Sequence, residues 1–230
     1  MATVGLVLFP KLTQLDLTGP YEIFSRMPET TVHLVAASSA PVPSERGLAI
    51  VPDTTFDAAG PFDILCVPGG PGVNPMMEDE RLLRFLRVQA EHARYVTSVC
   101  TGALLLGAAG LLRGYRATTH WLSLDLLPLF GAEAVDARVV VDRNRITGGG
   151  VTAGIDFGLA VAAELHGAAT AQDIQLMIEY NPAPPFQSGS PRTAPADVVT
   201  RVAGGRQRVQ DERRSIARRA AARLSEVHHA

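Results

Sequence analysis

The sequence predicts an α/β fold, a doubly wound and mainly parallel sheet with helices on both faces. Three observations carry this expectation. Short β-type segments alternate with longer helix-type segments along most of the chain. The strand candidates Val4–Phe9 and Phe62–Val67 are almost continuously apolar, as strands covered on both faces must be. At Cys100 a β-type run, Tyr95 to Val99, turns into a helix-type run, Ala103 to Leu106, within a single residue.

The elements follow in order. Val4 to Phe9 is the first strand. Thr13 to about Met27 has helical spacing of Leu15, Leu17, Tyr21, Ile23 and Phe24, with Gly19-Pro20 expected to interrupt or reset it. Thr31 to Ala36 is a second strand. Ser38 to Asp57 carries Pro41, Pro43, Gly47 and Pro52 and reads as loop with a short hairpin. Phe62 to Val67 is a strand that stops at Pro68-Gly69-Gly70-Pro71-Gly72, and Glu78 to Arg94 is a charged amphipathic helix. After the helix behind Cys100, Ala117 to Trp121 opens another helix towards Phe130. Val135 to Val141 and Arg145 to Thr147 are a strand pair, and Gly148-Gly149-Gly150 leads into a helix from Ala153 to His166. Asn181 to Pro195 is a proline-rich loop. This alternation, with a cysteine at a strand–helix junction, describes a flavodoxin-like sheet.

A chain of 230 residues that is 47% hydrophobic can bury one sizeable α/β domain with an appendage. The division expected is an α/β domain over 1–195 and a helical extension over 196–230. A net charge of −2 argues against an electrostatic nucleic-acid binder. Met1 to Pro10 has no basic run and too short an apolar one for a signal peptide, and no stretch is apolar for the length a bilayer needs. With two cysteines and no CxxC spacing, no disulfide or metal cage is demanded, so a cytoplasmic, reducing setting is expected.

Cys100 is either a nucleophile or a small buried hydrophobe. The junction alone leaves both readings open: a thiol there faces the amides of a helix N-terminus, which stabilise a thiolate, and the convergence of three strand ends favours the nucleophile. The geometry is that of a nucleophile elbow and predicts a strained backbone, with positive φ, at Cys100. Cys66, inside Ile64-Leu65-Cys66-Val67, reads as core. Ligands of open α/β sheets bind beyond the carboxyl ends of the strands. Three such ends carry unusual residues: Lys11 to Asp16, the Gly69-Gly70 loop, and Cys100-Thr101-Gly102.

Asp16 lies among Leu12, Leu15 and Leu17, where burial raises a carboxyl's pKa and lets it hold and shuttle a proton; otherwise it is a helix N-cap. Backbone N–H groups of Gly70 and Thr101 are candidate donors to charge developing near the sulfur. A phosphate cradle is a weaker reading of that loop, since no GxGxxG and no Lys-Ser/Thr pair is present. His120 either assists proton transfer or packs beside Trp121. His33 and His166 read as structural, and His228 and His229 as part of a frayed end. No residues have metal-site spacing.

Val67-Pro68-Gly69-Gly70 and Val99-Cys100-Thr101-Gly102 resemble the ThiJ/PfpI superfamily of class I glutamine-amidotransferase-like proteins. Leu15-Asp16-Leu17-Thr18-Gly19-Pro20, Ala117-Thr118-Thr119-His120-Trp121, Thr147-Gly148-Gly149-Gly150 and Asn181-Pro182-Ala183-Pro184-Pro185-Phe186 extend the resemblance over about residues 3 to 195. The last of these resembles the isonitrile hydratases within the superfamily. The resemblance implies Cys100 as nucleophile, Asp16 as its carboxylate partner and Thr101 as a required neighbour. It further implies a homodimer, no cofactor, and hydration of an isonitrile to an N-substituted formamide. Protease-like members carry His where Thr101 stands, and deglycase-like members carry Glu where Asp16 stands. The segment from Cys100 to Trp121 is also similar to the sensor module of AraC-type regulators, which would make the chain a ligand binder without turnover.

Residues 196 to 227 carry eight arginines and are interrupted by Gly204-Gly205. The expectation is an amphipathic helix packed through Val198, Val199, Val202, Ile216, Ala220 and Leu224, with its arginines solvated. A chain ending near Pro195 should then keep the Cys100 site.

Overall fold

The computed structural model describes residues 1–227. The chain runs β1 (Ala2–Val7), α1 (Gln14–Phe24), β2 (Thr30–Ala36), a hairpin of β3 (Val42–Pro43) and β4 (Ala49–Ile50), then β5 (Thr54–Thr55) and β6 (Ile64–Val67). There follow α2 (Val73–Met76), α3 (Glu80–His92), β7 (Tyr95–Val99), α4 (Gly102–Ala108) and β8 (Arg116–Ala117). A 3-10 helix, Trp121–Phe130, leads to β9 (Glu133–Ala134), β10 (Val139–Asp142), β11 (Arg145–Gly148), α5 (Ala153–Met177) and α6 (Ala196–Val227).

The main sheet has seven strands in the order β10-β11-β7-β6-β1-β2-β5. All neighbours are parallel except the β10–β11 pair. The predicted mixed, mainly parallel sheet is therefore the observed one. Its central strand β6 is apolar throughout because helices cover both faces: Ile64, Leu65, Cys66 and Val67 are all fully buried. One layer is α1 against α5, where Phe24 and Phe157 meet edge to face at 6.0 Å. The other holds α3 and α4, which pack together over β6 and β7. In register, Leu6 pairs with Cys66 and Val67 with Ser98, so the carboxyl ends of β1, β6 and β7 open on one rim.

Several local expectations change. The first helix passes through Gly19-Pro20 without a break. Pro20 cannot return a hydrogen bond to the Asp16 carbonyl, but tertiary packing against Gly154 holds the turn. Residues Arg116–Ala117 are a strand, and the helix beyond them is of 3-10 type, with Pro128 inside it and Gly131 at φ 75° closing it. The strand before Arg143 starts at Val139 rather than Val135. The helix from Ala153 does break beyond His166, at Gly167 (φ 86°, ψ 160°), but a second helical stretch continues to Met177. Gly204-Gly205 do not interrupt α6. Each glycine costs a helix about 1 kcal/mol, and contacts further along the helix outweigh it. His228 and His229 lie outside the described residues.

Candidate active site

The elbow is built by backbone demands that only certain residues meet. Cys100 has φ 55°, the left-handed region that non-glycine residues avoid. Its N–H donates to the Gly148 carbonyl at 3.0 Å, and its carbonyl accepts from Thr119 Oγ1 at 2.7 Å. The strained residue is thus clamped from both sides, which is how such strain persists. Gly102 follows because a Cβ there would sit 2.1 Å from the Val67 carbonyl oxygen. Gly69 is equally constrained: a Cβ would lie 2.5 Å from the Thr101 nitrogen and 2.8 Å from Asp16 Oδ2.

Asp16, in the first turn of α1, is fully buried and is not the cap of that helix, whose N-cap is Thr13. Its Oδ2 accepts the Gly69 N–H at 3.0 Å, while Oδ1 has no partner among the described residues and the Cys100 thiol is within reach of the carboxyl. Burial pushes the Asp16 pKa up to about 7, against smaller lowering by Cys100 and the Gly69 amide. Burial first, and the Asp16 charge second, push the Cys100 thiol well upward; the Thr101 N–H and Arg213 act the other way. The two groups titrate as a pair that retains a proton through neutral pH.

The expected pair of oxyanion donors needs correction. The Gly70 N–H is taken by Thr101 Oγ1 at 3.0 Å, so Gly70 is not a free donor and only the Thr101 N–H addresses the sulfur. Gly70 (φ 128°) instead locks its loop to the elbow through Thr101. His120 lines the same cavity. Its Nδ1 accepts from the Leu122 N–H at 3.3 Å, which leaves the proton on Nε2. Burial, then Arg213 and Arg206, lower its pKa to about 4, so at neutral pH it is an uncharged donor rather than a proton-charged acid.

The cavity at Cys100 is about 110 Å³, a space for a small molecule. Thr13, Glu45, Gly70, Thr101, His120, Leu122 and Val151 line it, and α6 closes it with Arg206, Val209, Gln210 and Arg213. A larger groove of about 790 Å³ between α3, α4 and α6 has no cysteine in its lining. No group of three or more His, Cys, Asp or Glu among the described residues could hold a metal ion, and no described helix is long and apolar enough to cross a membrane.

The role of α6 is the largest departure from the sequence reading. Ile216 and Ala220 do pack on the domain, Leu224 is half-buried against it, but Val202 is 46% exposed. The arginines are not uniformly solvated: Arg213 is only 5% exposed, Arg219 and Arg223 both reach Glu78, and Arg214 reaches Asp125. Cutting the chain near Pro195 would remove one wall of the Cys100 cavity. A signal was present. Arg213 lies on the stripe Val209, Ile216, Ala217, Ala220, and a charged residue on the buried stripe of an amphipathic helix calls for a partner inside.

A model of the DJ-1/PfpI family matches residues 2–164. The chain belongs to the DJ-1/PfpI family. Membership agrees with the parallel sheet and the elbow cysteine at its rim. Among relatives, it is 56% identical over 222 residues to an isonitrile hydratase of Pseudomonas putida, covering 96% of this chain and 97% of that protein. It is 35% identical to the HTH-type transcriptional regulator GbdR of Pseudomonas aeruginosa, over 77% of this chain but only 50% of the regulator. A crystal structure of a ThiJ/PfpI family protein from Pseudomonas syringae superposes with a TM-score of 0.92 at 44% identity, covering 94% of this chain and 90% of that one.

Proposed function

We propose that this family member is an isonitrile hydratase, a hydro-lyase that converts R–N≡C and water to the N-substituted formamide. The observation that carries the chemistry is the buried Cys100–Asp16 pair at the clamped elbow. The choice of substrate rests on the near full-length similarity to the Pseudomonas putida enzyme.

The isonitrile carbon is electrophilic towards a soft nucleophile. With one proton shared between the two groups, the reactive form is thiolate and carboxylic acid. Cys100 Sγ forms a bond to the terminal carbon, and that carbon takes the proton of Asp16, giving the thioimidate R–N=CH–S–Cys100. Asp16, now a carboxylate, draws a proton from a water that adds to the same carbon. Collapse breaks the C–S bond, nitrogen keeps one proton, and the formamide leaves while the pair regains its proton. The Thr101 N–H steadies the sulfur, and the neutral His120 Nε2–H is a donor for the substrate's nitrogen side.

This reading takes residues 1–195 as the catalytic unit, and the extension from 196 as a part that completes the site. A homodimer is the proposed active form, supported by Leu176, Met177 and Phe186, which are 81%, 69% and 75% exposed. The free thiol of Cys100 suits a reducing, cytoplasmic setting. A sensor module without turnover is disfavoured by the higher identity to the hydratase, 56% against 35% for the regulator. The test is direct: the purified chain is mixed with an alkyl or aryl isonitrile and formamide is measured. Stoichiometric binding without formamide would favour the sensor.

A further inference from the structure

We propose that Arg213, delivered by the C-terminal helix, is the fixed counter-charge of the Cys100–Asp16 pair and positions the sulfur's charge in the reactive form. The inference rests on the nucleophilic role of Cys100. The guanidinium lines the same cavity as the sulfur and is 5% exposed. Its acceptors are all neutral: Asn74 Oδ1 at 2.8 Å from Nε, Ser123 Oγ at 3.1 Å from Nη1, and the Gly70 carbonyl at 3.4 Å from Nη2. Among the described residues it forms no ion pair within 4 Å of a carboxylate. Buried charges are otherwise paired, because an isolated one pays its full desolvation cost.

The surroundings show what the charge is there for. Asp16 reaches the sulfur from α1, Glu45 lines the cavity from the loop that follows β3, and His120 lines it uncharged. On α6 itself, Arg206 is exposed at the cavity, and Glu212 is exposed and turned to Asn74 Nδ2 at 3.5 Å. Once the pair has lost one of its two protons it carries one negative charge, and among the described residues Arg213 supplies the one buried positive charge lining its cavity. Three hydrogen bonds to α2, the 3-10 helix and the glycine loop fix the guanidinium, so it stabilises the anion without reorganising. The interaction is consistent with the mutual influence of Arg213 and Cys100 on one another's protonation.

The test reads the sulfur itself. In a Cys66→Ala background, the rate of Cys100 alkylation by iodoacetamide is measured against pH for wild type, R213Q, R213K and N74D. R213Q should raise the midpoint by about one pH unit or more and slow alkylation roughly tenfold at neutral pH. R213K keeps the charge and should stay within about threefold of wild type. N74D places a carboxylate on the guanidinium without removing it, and should shift the profile in the direction of R213Q. It therefore carries the same test if R213Q does not fold. An unshifted midpoint in R213Q or N74D, or an R213K profile as impaired as R213Q, would overturn the proposal. If isonitrile turnover were absent while this alkylation pattern held, the substrate reading would fall and the counter-charge would stand.

Discussion

Cys66 and Cys100 sit on the same stretch of sheet and share almost every bulk property. Both are buried and free, and burial raises the pKa of both. They differ in what the backbone and neighbours do. Cys66 lies in regular strand β6, paired across to Leu6 and Thr97, and its thiol is pushed up to about 12. Cys100 is one residue past the end of its strand, at φ 55°, with an amide, a buried carboxyl and a buried guanidinium around its cavity. Burial alone thus makes an inert thiol. Reactivity needs an outlet to a cavity and groups that share the proton and the charge.

The sharpest way to break this comparison is to exchange the two sites' fates. Cys100→Ala should abolish isonitrile turnover, by at least about a thousandfold, with circular dichroism and oligomeric state unchanged. Residual activity above a few per cent in a clean preparation would mean that the sulfur is dispensable.

Asp16→Asn keeps the shape but cannot exchange a proton, and kcat should fall by roughly a hundredfold. The same variant separates function from stability. The Asp16 pKa is raised from 3.8 to about 7 in the fold, so the folded state binds a proton that the unfolded state has released. The stability this gives is fully present below pH 3.8 and is lost as pH rises through about 7. Between pH 4 and 8 the wild type should lose on the order of 4 kcal/mol relative to Asp16→Asn, read by urea unfolding at each pH. Parallel pH profiles of the two proteins would place the carboxyl outside the buried site. In the wild type, kcat/KM should climb as pH rises through about 7, when the pair gives up its first proton.

Thr101→Val tests the link between elbow and glycine loop. It strips the acceptor from the Gly70 N–H, and an unsatisfied buried amide costs about 1–3 kcal/mol. A loss of roughly tenfold in kcat is expected, restored by Thr101→Ser; activity kept in Thr101→Val but lost in Thr101→Ser would show that the methyl, not the hydroxyl, matters.

Cys66→Ala should do least to the chemistry. Turnover should stay within about twofold, while stability drops by about 1–2 kcal/mol for the small void left in the core. A large loss of activity here would erase the contrast between the two thiols.

How much of this was legible in the chain differs by region. Residues with a strong local signature announced themselves: the apolar run of β6, the strand–helix junction at Cys100, and an aspartate among leucines. Each is fixed by a few neighbouring residues. What the sequence hid depends on long-range packing. Pro20 stays inside α1 because Gly154, far along the chain, leaves it room. The Gly70 N–H turns from the sulfur because Thr101 Oγ1 meets it first. Arg213 enters the site only because α6 folds back over Asn74 and Ser123, at sequence separations of 139 and 90 residues. An arginine-rich helix in a slightly acidic chain read as solvated surface, and its one inward charge was masked by the others.

The central claim is that the Cys100 sulfur becomes covalently joined to the isonitrile carbon. A rapid-quench single turnover with excess enzyme, followed by peptide mass spectrometry, tests it most directly. The account predicts a transient gain equal to the mass of the isonitrile on the peptide holding Cys100, decaying as formamide appears, with the Cys66 peptide unmodified. Formamide produced with no such adduct at any time point, or an adduct carried on Cys66, would contradict it.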